Sequence, residues 1–236
     1  MSAQQRVHAL PFTIAAAHEL KAPLALIRQL SLALEQGGLS AAEEAKLLRQ
    51  IILSSERGIR LTSDLTRTAR LEDSLFELEP INSRQLCEEV AHELSPLYKA
   101  KNRELVVAGG KRQLLAVGNR DILRRILINF SDNALHYADT AAPVVIRTSS
   151  LKSGEHVRVG VRDYGPAVPS DVWRRLSGHL GKAPQVLQNR PASSGLGLYI
   201  SAQFAEAMQG SIGATRHRDG ATFYVDLLVS KQLTLL

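Results

Sequence analysis

Apolar residues recur at helical spacing from about Phe12 to Glu35, at Leu20, Leu24, Ile27 and Leu34 with Leu26 and Leu30 alongside, until Gln36-Gly37-Gly38-Leu39-Ser40 stops the pattern. Beyond the break, Ser40 stands three residues before Glu43, the spacing at which a serine caps a helix and a glutamate returns the bond. A second stripe then runs through Leu47, Leu48, Ile51, Ile52, Ser55, Ile59, Thr62 and Leu65. Two long helices joined by a glycine turn form a hairpin, and one apolar stripe per helix buries too little surface for a stable unit. Pairing of two hairpins into an antiparallel four-helix bundle, the same patch serving both subunits, is the expected solution for residues 1–73.

From about Leu75 the texture changes. Strands are expected at Leu75 to Leu78, Leu105 to Val107, Leu114 to Val117, Val144 to Thr148, Val157 to Asp163, Ser211 to Thr215 and Thr222 to Leu228. Helices are expected at Ser83 to Ala100, Asn119 to Ala138 and Gly195 to Met208. Elements in this order suggest an α/β sandwich over residues 74–236, a mixed sheet covered on one face by helices, and an α+β chain as a whole. A chain of 236 residues can bury two such cores. Before the last helix, Pro166 to Ser194 is rich in Pro, Gly and Ser and poor in pattern, as a functional lid or a disordered segment would be.

Composition narrows the class. The single Cys87 excludes an intrachain disulfide framework, no run reaches the roughly 18 apolar residues that span a bilayer, and the start does not read as a signal peptide. A cytoplasmic protein is expected. Seventeen residues before His18 are too few for a sensory module, so a sensor or membrane anchor is expected in a longer native chain or a partner. The net charge of +6 comes from arginines dispersed along the chain rather than from a basic block, which favours anionic ligands and acidic partner surfaces over a nucleic-acid site.

Four short motifs could carry chemistry. His18 shares a helix face with Ala22, Ala25 and Gln29, away from the apolar stripe, so its imidazole should be approachable past small neighbours. Pro23 lacks the N–H that the Glu19 carbonyl would accept and should kink the helix one turn on. The Glu19 carboxylate, next in sequence, can take a proton from one ring nitrogen while the other attacks. On the expected helix Asn119 to Ala138, Leu123, Leu127, Phe130, Ala134 and Tyr137 make one face, and Arg125, Asn129, Asn133 and His136 the other. Amides at i and i+4 can offer two oxygens to one hard cation.

Asp163 falls on the apolar parity set by Val157, Val159 and Val161, where an acid is costly without a partner such as the exocyclic amine of adenine. Gly165 would let a base come close to the backbone. Gly195-Leu196-Gly197-Leu198 opens a helix whose free N–H groups suit phosphate. Each motif also has a plain structural reading: a surface histidine, a solvated amide pair, a strand-ending turn, a glycine loop. His92-Glu93-Leu94-Ser95-Pro96 repeats the first motif without the alanine run or the clean stripe.

In their order, these residues resemble the transmitter region of a bacterial sensor histidine kinase: a dimerisation and phosphoacceptor hairpin followed by a Bergerat-type ATP-binding domain. His18 to Pro23 resembles the phosphoacceptor box, Asn129 to Tyr137 the Asn box, Asp163-Tyr-Gly165 and Gly195-Leu-Gly197-Leu198 the two Gly boxes, and Gly220-Ala-Thr-Phe223 a final strand motif. The resemblance implies that His18 accepts the γ-phosphoryl group of ATP with Glu19 as base. It also implies that Asn129 and Asn133 hold Mg²⁺, that His136 and Tyr137 border the nucleotide, that Asp163 and Gly165 take adenine, and that Gly195 to Leu198 cradle phosphates. A response-regulator Asp would then receive the group, and the chain would act as a homodimer. A non-catalytic dimeric module that binds nucleotide weakly and controls a true kinase is the rival reading, and a Bergerat ATPase outside signalling has no need of His18.

The chain departs from the family pattern at five places. Ala22 stands where a Thr or Asn would position water for dephosphorylating the partner, and Ala167 and Ser193 replace expected glycines. The Phe-rich lid box is missing, with only Trp173 nearby. His136 replaces the usual Lys and is largely uncharged at pH 7, its reference pKa being about 6.5. Nucleotide binding should therefore strengthen as the imidazole gains a proton in mild acid. Titration of ATP across about pH 6 to 8 checks this, and a flat affinity contradicts it.

Overall fold

The structure, a computed structural model, describes residues 3–70, 77–109, 114–137, 142–151, 153–170 and 196–231, with isolated positions between 173 and 180. The chain forms two compact units, Met1–Ser74 with Ala183–Ile200 and Leu75–Lys182 with Ser201–Leu236.

The first unit is built on α1 (Ala3–Gln36) and α2 (Ala41–Arg70), packed against each other. Gly37 and Gly38 turn the chain at φ +70° and +79°, a region open to glycine at little cost. The expected capping box is present: the Ser40 amide and hydroxyl donate to the Glu43 carboxylate at 2.8 and 2.7 Å, and the Glu43 amide donates back to Ser40 Oγ at 3.4 Å. Those bonds hold the Glu43 carboxyl below its usual value.

The positions that lose solvent include Leu20, Pro23, Ile27, Leu30 and Leu34 on α1 and Leu47, Ile51, Ser54, Gly58 and Leu61 on α2. Their alternating spacing of three and four is that of a narrow two-helix seam. Not every residue of the expected stripes is covered within the hairpin, Leu26 among those exposed. Leu24, assigned to the apolar stripe, is 61% exposed, and Pro23 takes the seam position instead. Neighbouring helical residues point about 100° apart, so a seam that admits Pro23 excludes Leu24. Ser54, buried, donates to the Pro23 carbonyl at 3.2 Å, and α1 runs on past the proline. Leu48, Ile52 and Ile59 form a second apolar stripe on α2 that is open to solvent.

In the second unit a five-stranded mixed sheet has the order β2-β4-β5-β7-β6, from β2 (Leu105–Ala108), β4 (Val144–Ser150), β5 (His156–Arg162), β6 (Ser211–His217) and β7 (Gly220–Leu228). Only the β2–β4 pair is parallel. A separate antiparallel pair joins β1 (Glu79–Asn82) to β3 (Leu115–Gly118). The strand expected at Leu75 to Leu78 is thus displaced: residues 75 and 76 lie outside the described residues, and Leu78 precedes β1. Pro80 is tolerated within β1 because a strand with one neighbour has a free edge, where a missing N–H costs nothing.

Helix α3 (Ser83–Ala100) packs on β2 and β4, and α4 (Arg120–Tyr137) on β4, β5 and β7, giving the expected sandwich. Asn82 caps α3 by accepting the Gln85 amide at 3.2 Å, and Asn119 caps α4 by accepting the Ile122 amide at 3.2 Å. Burial on α4 follows the expected stripe at Leu123, Leu127, Phe130 and Ala134, while Ile122, Ile126, Ile128 and Leu135 are buried as well. A narrow strip containing Arg125, Asn129 and Asn133 stays half-exposed. The buried Tyr98 hydroxyl of α3 donates to the Ser131 carbonyl of α4 at 2.7 Å and fixes the height of α4 over the sheet. Tyr98→Phe should therefore destabilise the folded chain by about 1 kcal/mol in urea unfolding, with the fold retained; an unchanged midpoint contradicts this role.

Candidate active site

Val157, Val159 and Val161 of β5 are buried, and the same parity carries Asp163 inward just past the strand end, leaving it 6% exposed. Two backbone bonds lock it to the start of β7: the Asp163 amide donates to the Ala221 carbonyl at 3.0 Å, and the Ala221 amide donates to Asp163 Oδ1 at 2.9 Å. Burial pushes the carboxyl above its ordinary value, against the pull of the Ala221 bond and of the Arg162 and His217 charges. Among the described residues no donor meets Oδ2.

Gly165 is buried, and its amide donates to the Asp219 carbonyl in the β6–β7 turn at 3.1 Å. Gly220 follows at φ +123°. A Cβ there would lie 2.5 Å from both the carbonyl oxygen and Oδ1 of Asp163, so this backbone approach admits only glycine.

On α4 the Asn129 amide donates through Nδ2 to Ser201 Oγ at 3.3 Å, which turns Oδ1 away from that contact. Asn133 stands one turn on, along the same half-exposed strip. Burial and the carboxylates of Asp132 and Asp163 push the Tyr98 hydroxyl upward, so Asp163 lies within electrostatic reach of the α3–α4 contact. His136 and Tyr137 end α4, but their side chains are outside the described residues.

Helix α5 (Leu196–Ala207) begins where the phosphate motif was expected. Gly197 and Leu198 are half-buried in its first turn. Ile200, Ser201 and Phe204 are buried further along it. Ser194 and Gly195, and the side chain of Leu196, lie outside the described residues. His18 and Glu19 stand on α1, in the other unit, and their side chains are not described; Ala22, Ala25 and Gln29 on the expected face are exposed.

The structure thus joins Asn129 to α5 and Asp163 to Gly165 and the β6–β7 turn. Three participants escaped the motif reading, Ser201, Arg162 and Asp219, and the final strand motif gave no role to the Ala221 amide. Asp219-Gly220 between two alternating apolar runs is a hairpin signature that announces the turn, although its tie to Asp163 follows only from register.

Residues 118–231 match the family described as histidine kinase-, DNA gyrase B- and HSP90-like ATPase. Sensor protein kinase PmrB of Pseudomonas aeruginosa is 29% identical over 221 residues, which are 92% of this chain and 44% of the relative. Histidine protein kinase SaeS of Staphylococcus epidermidis is 27% identical over 198 residues, 83% of this chain and 56% of the relative. The chain spans about a fifth to three fifths of the length of the curated relatives it matches.

Full-length ShkA in complex with AMPPNP has the same fold at a TM-score of 0.61 and 23% identity, over 96% of this chain and 46% of that one. Histidine kinase ThkA in complex with the response regulator TrrA does so at 0.67 and 19%, over 97% and 65%. Residues 118–231 thus match a histidine kinase-like ATPase family, and over most of its length the chain is similar to sensor histidine kinases.

Because Asp163 is held above its ordinary pKa, its contribution to stability is present when the carboxyl is protonated and is lost as pH rises through the folded value. Asp163→Asn, which keeps an oxygen for the Ala221 amide, should raise the melting temperature at pH 7. The gain should shrink as pH falls toward the carboxylate range, and a gain independent of pH contradicts the assignment.

Proposed function

We propose that this chain is an ATP-dependent protein histidine kinase that phosphorylates its own His18 and passes the group to an Asp of a response-regulator receiver domain in two-component signalling. The single observation behind this reading is Asp163. A buried carboxylate with Oδ1 fixed by Ala221 and no described donor at Oδ2 suits a neutral ligand edge that brings its own N–H, and adenine N6 is such an edge. Gly165 beside it suits close approach of a flat base.

The other groups match the rest of the nucleotide. Neutral carboxamide oxygens of Asn129 and Asn133 are hard donors suited to Mg²⁺, which would arrive with the phosphates and neutralise them when bound. The N–H groups of Gly197 and Leu198, with Gly195 and Leu196 before them, suit phosphate oxygens, and His136 and Tyr137 would border the site. Ser201 acts by orienting Asn129. Transfer needs residues 1–73 and 74–236, working as separate domains, to bring His18 to the γ-phosphorus. One ring nitrogen of His18 attacks, the bond to the bridging oxygen breaks, ADP leaves, and Glu19 takes the proton from the other nitrogen.

One similarity and one structural observation support the partners. ThkA was crystallised with a response regulator, and the open stripe of Leu48, Ile52 and Ile59 suits a homodimeric four-helix bundle, cytoplasmic in setting. Incubation of the full chain with labelled ATP and Mg²⁺ should give acid-labile, alkali-stable label. His18→Gln should abolish it, and Asn133→Ala should lower it by about tenfold or more. Label that persists in His18→Gln, or dimers that never acquire label, would overturn the reading in favour of a regulatory module.

A further inference from the structure

Arg162 closes β5 and forms a ring around the acid that no motif includes. Its Nη1 donates to the Asp163 carbonyl and, at 3.3 Å, to the Ala221 carbonyl. Its Nη2 donates to the Asp219 carbonyl at 3.3 Å and pairs with the Asp219 carboxylate at 2.5 Å. The guanidinium carbon sits 4.4 Å from the centre of the Tyr164 ring.

Two of these acceptors are shared. The Ala221 carbonyl also takes the Asp163 amide, and the Asp219 carbonyl also takes the Gly165 amide, so each uses both lone pairs. One planar fork therefore gathers the backbone segments whose bonds aim the Asp163 carboxylate. The carbonyl bonds carry the effect, because the Asp219 carboxylate is 66% exposed and an ion pair there contributes little. Gly220 leaves the room for this packing: a Cβ would stand 2.8 Å from Nη1.

We propose that Arg162 is a positioning residue for base selection: by clamping the β6–β7 turn to the end of β5 it sets the direction of Asp163 Oδ2, and so favours a 6-amino purine over a 6-oxo purine. The proposal rests on the reading of Asp163 as the adenine acceptor. A lysine carries the same charge but no fork and can hold one acceptor where arginine holds several.

The test is calorimetric titration of the full chain, with Mg²⁺, by ATP and by inosine triphosphate, whose base presents a carbonyl in place of the amine. Arg162→Ala should weaken ATP binding about tenfold and leave inosine triphosphate within about twofold, collapsing the preference between them. Arg162→Lys, which keeps charge and stem and so guards against misfolding, should recover less than half of that preference. Asp219→Asn, which keeps the carbonyl, should change little.

Equal losses for both nucleotides, or a wild-type preference in folded Arg162→Ala and Arg162→Lys while Asp163→Asn loses it, would overturn the clamp alone. A wild-type preference in Asp163→Asn would overturn the adenine reading and the clamp with it.

Discussion

A carboxylate at the end of a buried strand is costly, and the second unit is arranged around making that cost useful. Three buried valines of β5 set the parity that turns Asp163 inward, and the sheet register brings the Ala221 amide to one of its oxygens. Half of the desolvated group is satisfied within the protein, and half is left to whatever enters. Moving that amide would require β7 to shift against β5, and the two strands are paired over seven consecutive positions. The direction of the acid is thus set where β5 meets β7, by the strand register together with the Arg162 bonds to the β6–β7 turn.

The same economy governs α4. The helix is buried on most of its circumference, held at its start by Asn119 and at its middle by the Tyr98 hydroxyl, so the strip with Asn129 and Asn133 has little freedom to rotate. Ser201, buried on α5, then orients one of the two amides. Three independent anchors therefore fix two side chains, which suits an electrostatic site whose groups must be in place before reaction.

Periodicity revealed most of this fold because burial is one-sided: α3 occupies the interval read from its pattern, and β5, β6 and β7 fall within two residues of theirs. It failed where burial depends on a partner in space. Leu24 carries the same apolarity as Leu20 and lies in solvent, because a two-helix seam covers one narrow line and Pro23 occupies it. β1 was displaced because a lone strand pair tolerates a proline that a central strand rejects. Asp163 could be found from parity alone, while Arg162 could not: its partners in the β6–β7 turn lie 57 to 59 residues away and nothing local distinguishes it from the other arginines of the outer face. His92 to Pro96, which imitates the phosphoacceptor motif, lies within α3 of the second unit, with Leu94 buried and Glu93 paired to Arg124 of α4.

The most direct measurement observes the proton in question. Adenosine diphosphate labelled with ¹⁵N at the exocyclic amine, bound to the full chain with Mg²⁺, should give amine protons that exchange slowly and show nuclear Overhauser contacts to the Gly165 and Ala221 amides. In Asp163→Asn the protection should disappear. Amine protons that exchange with bulk water as fast in the complex as in free nucleotide would contradict the account.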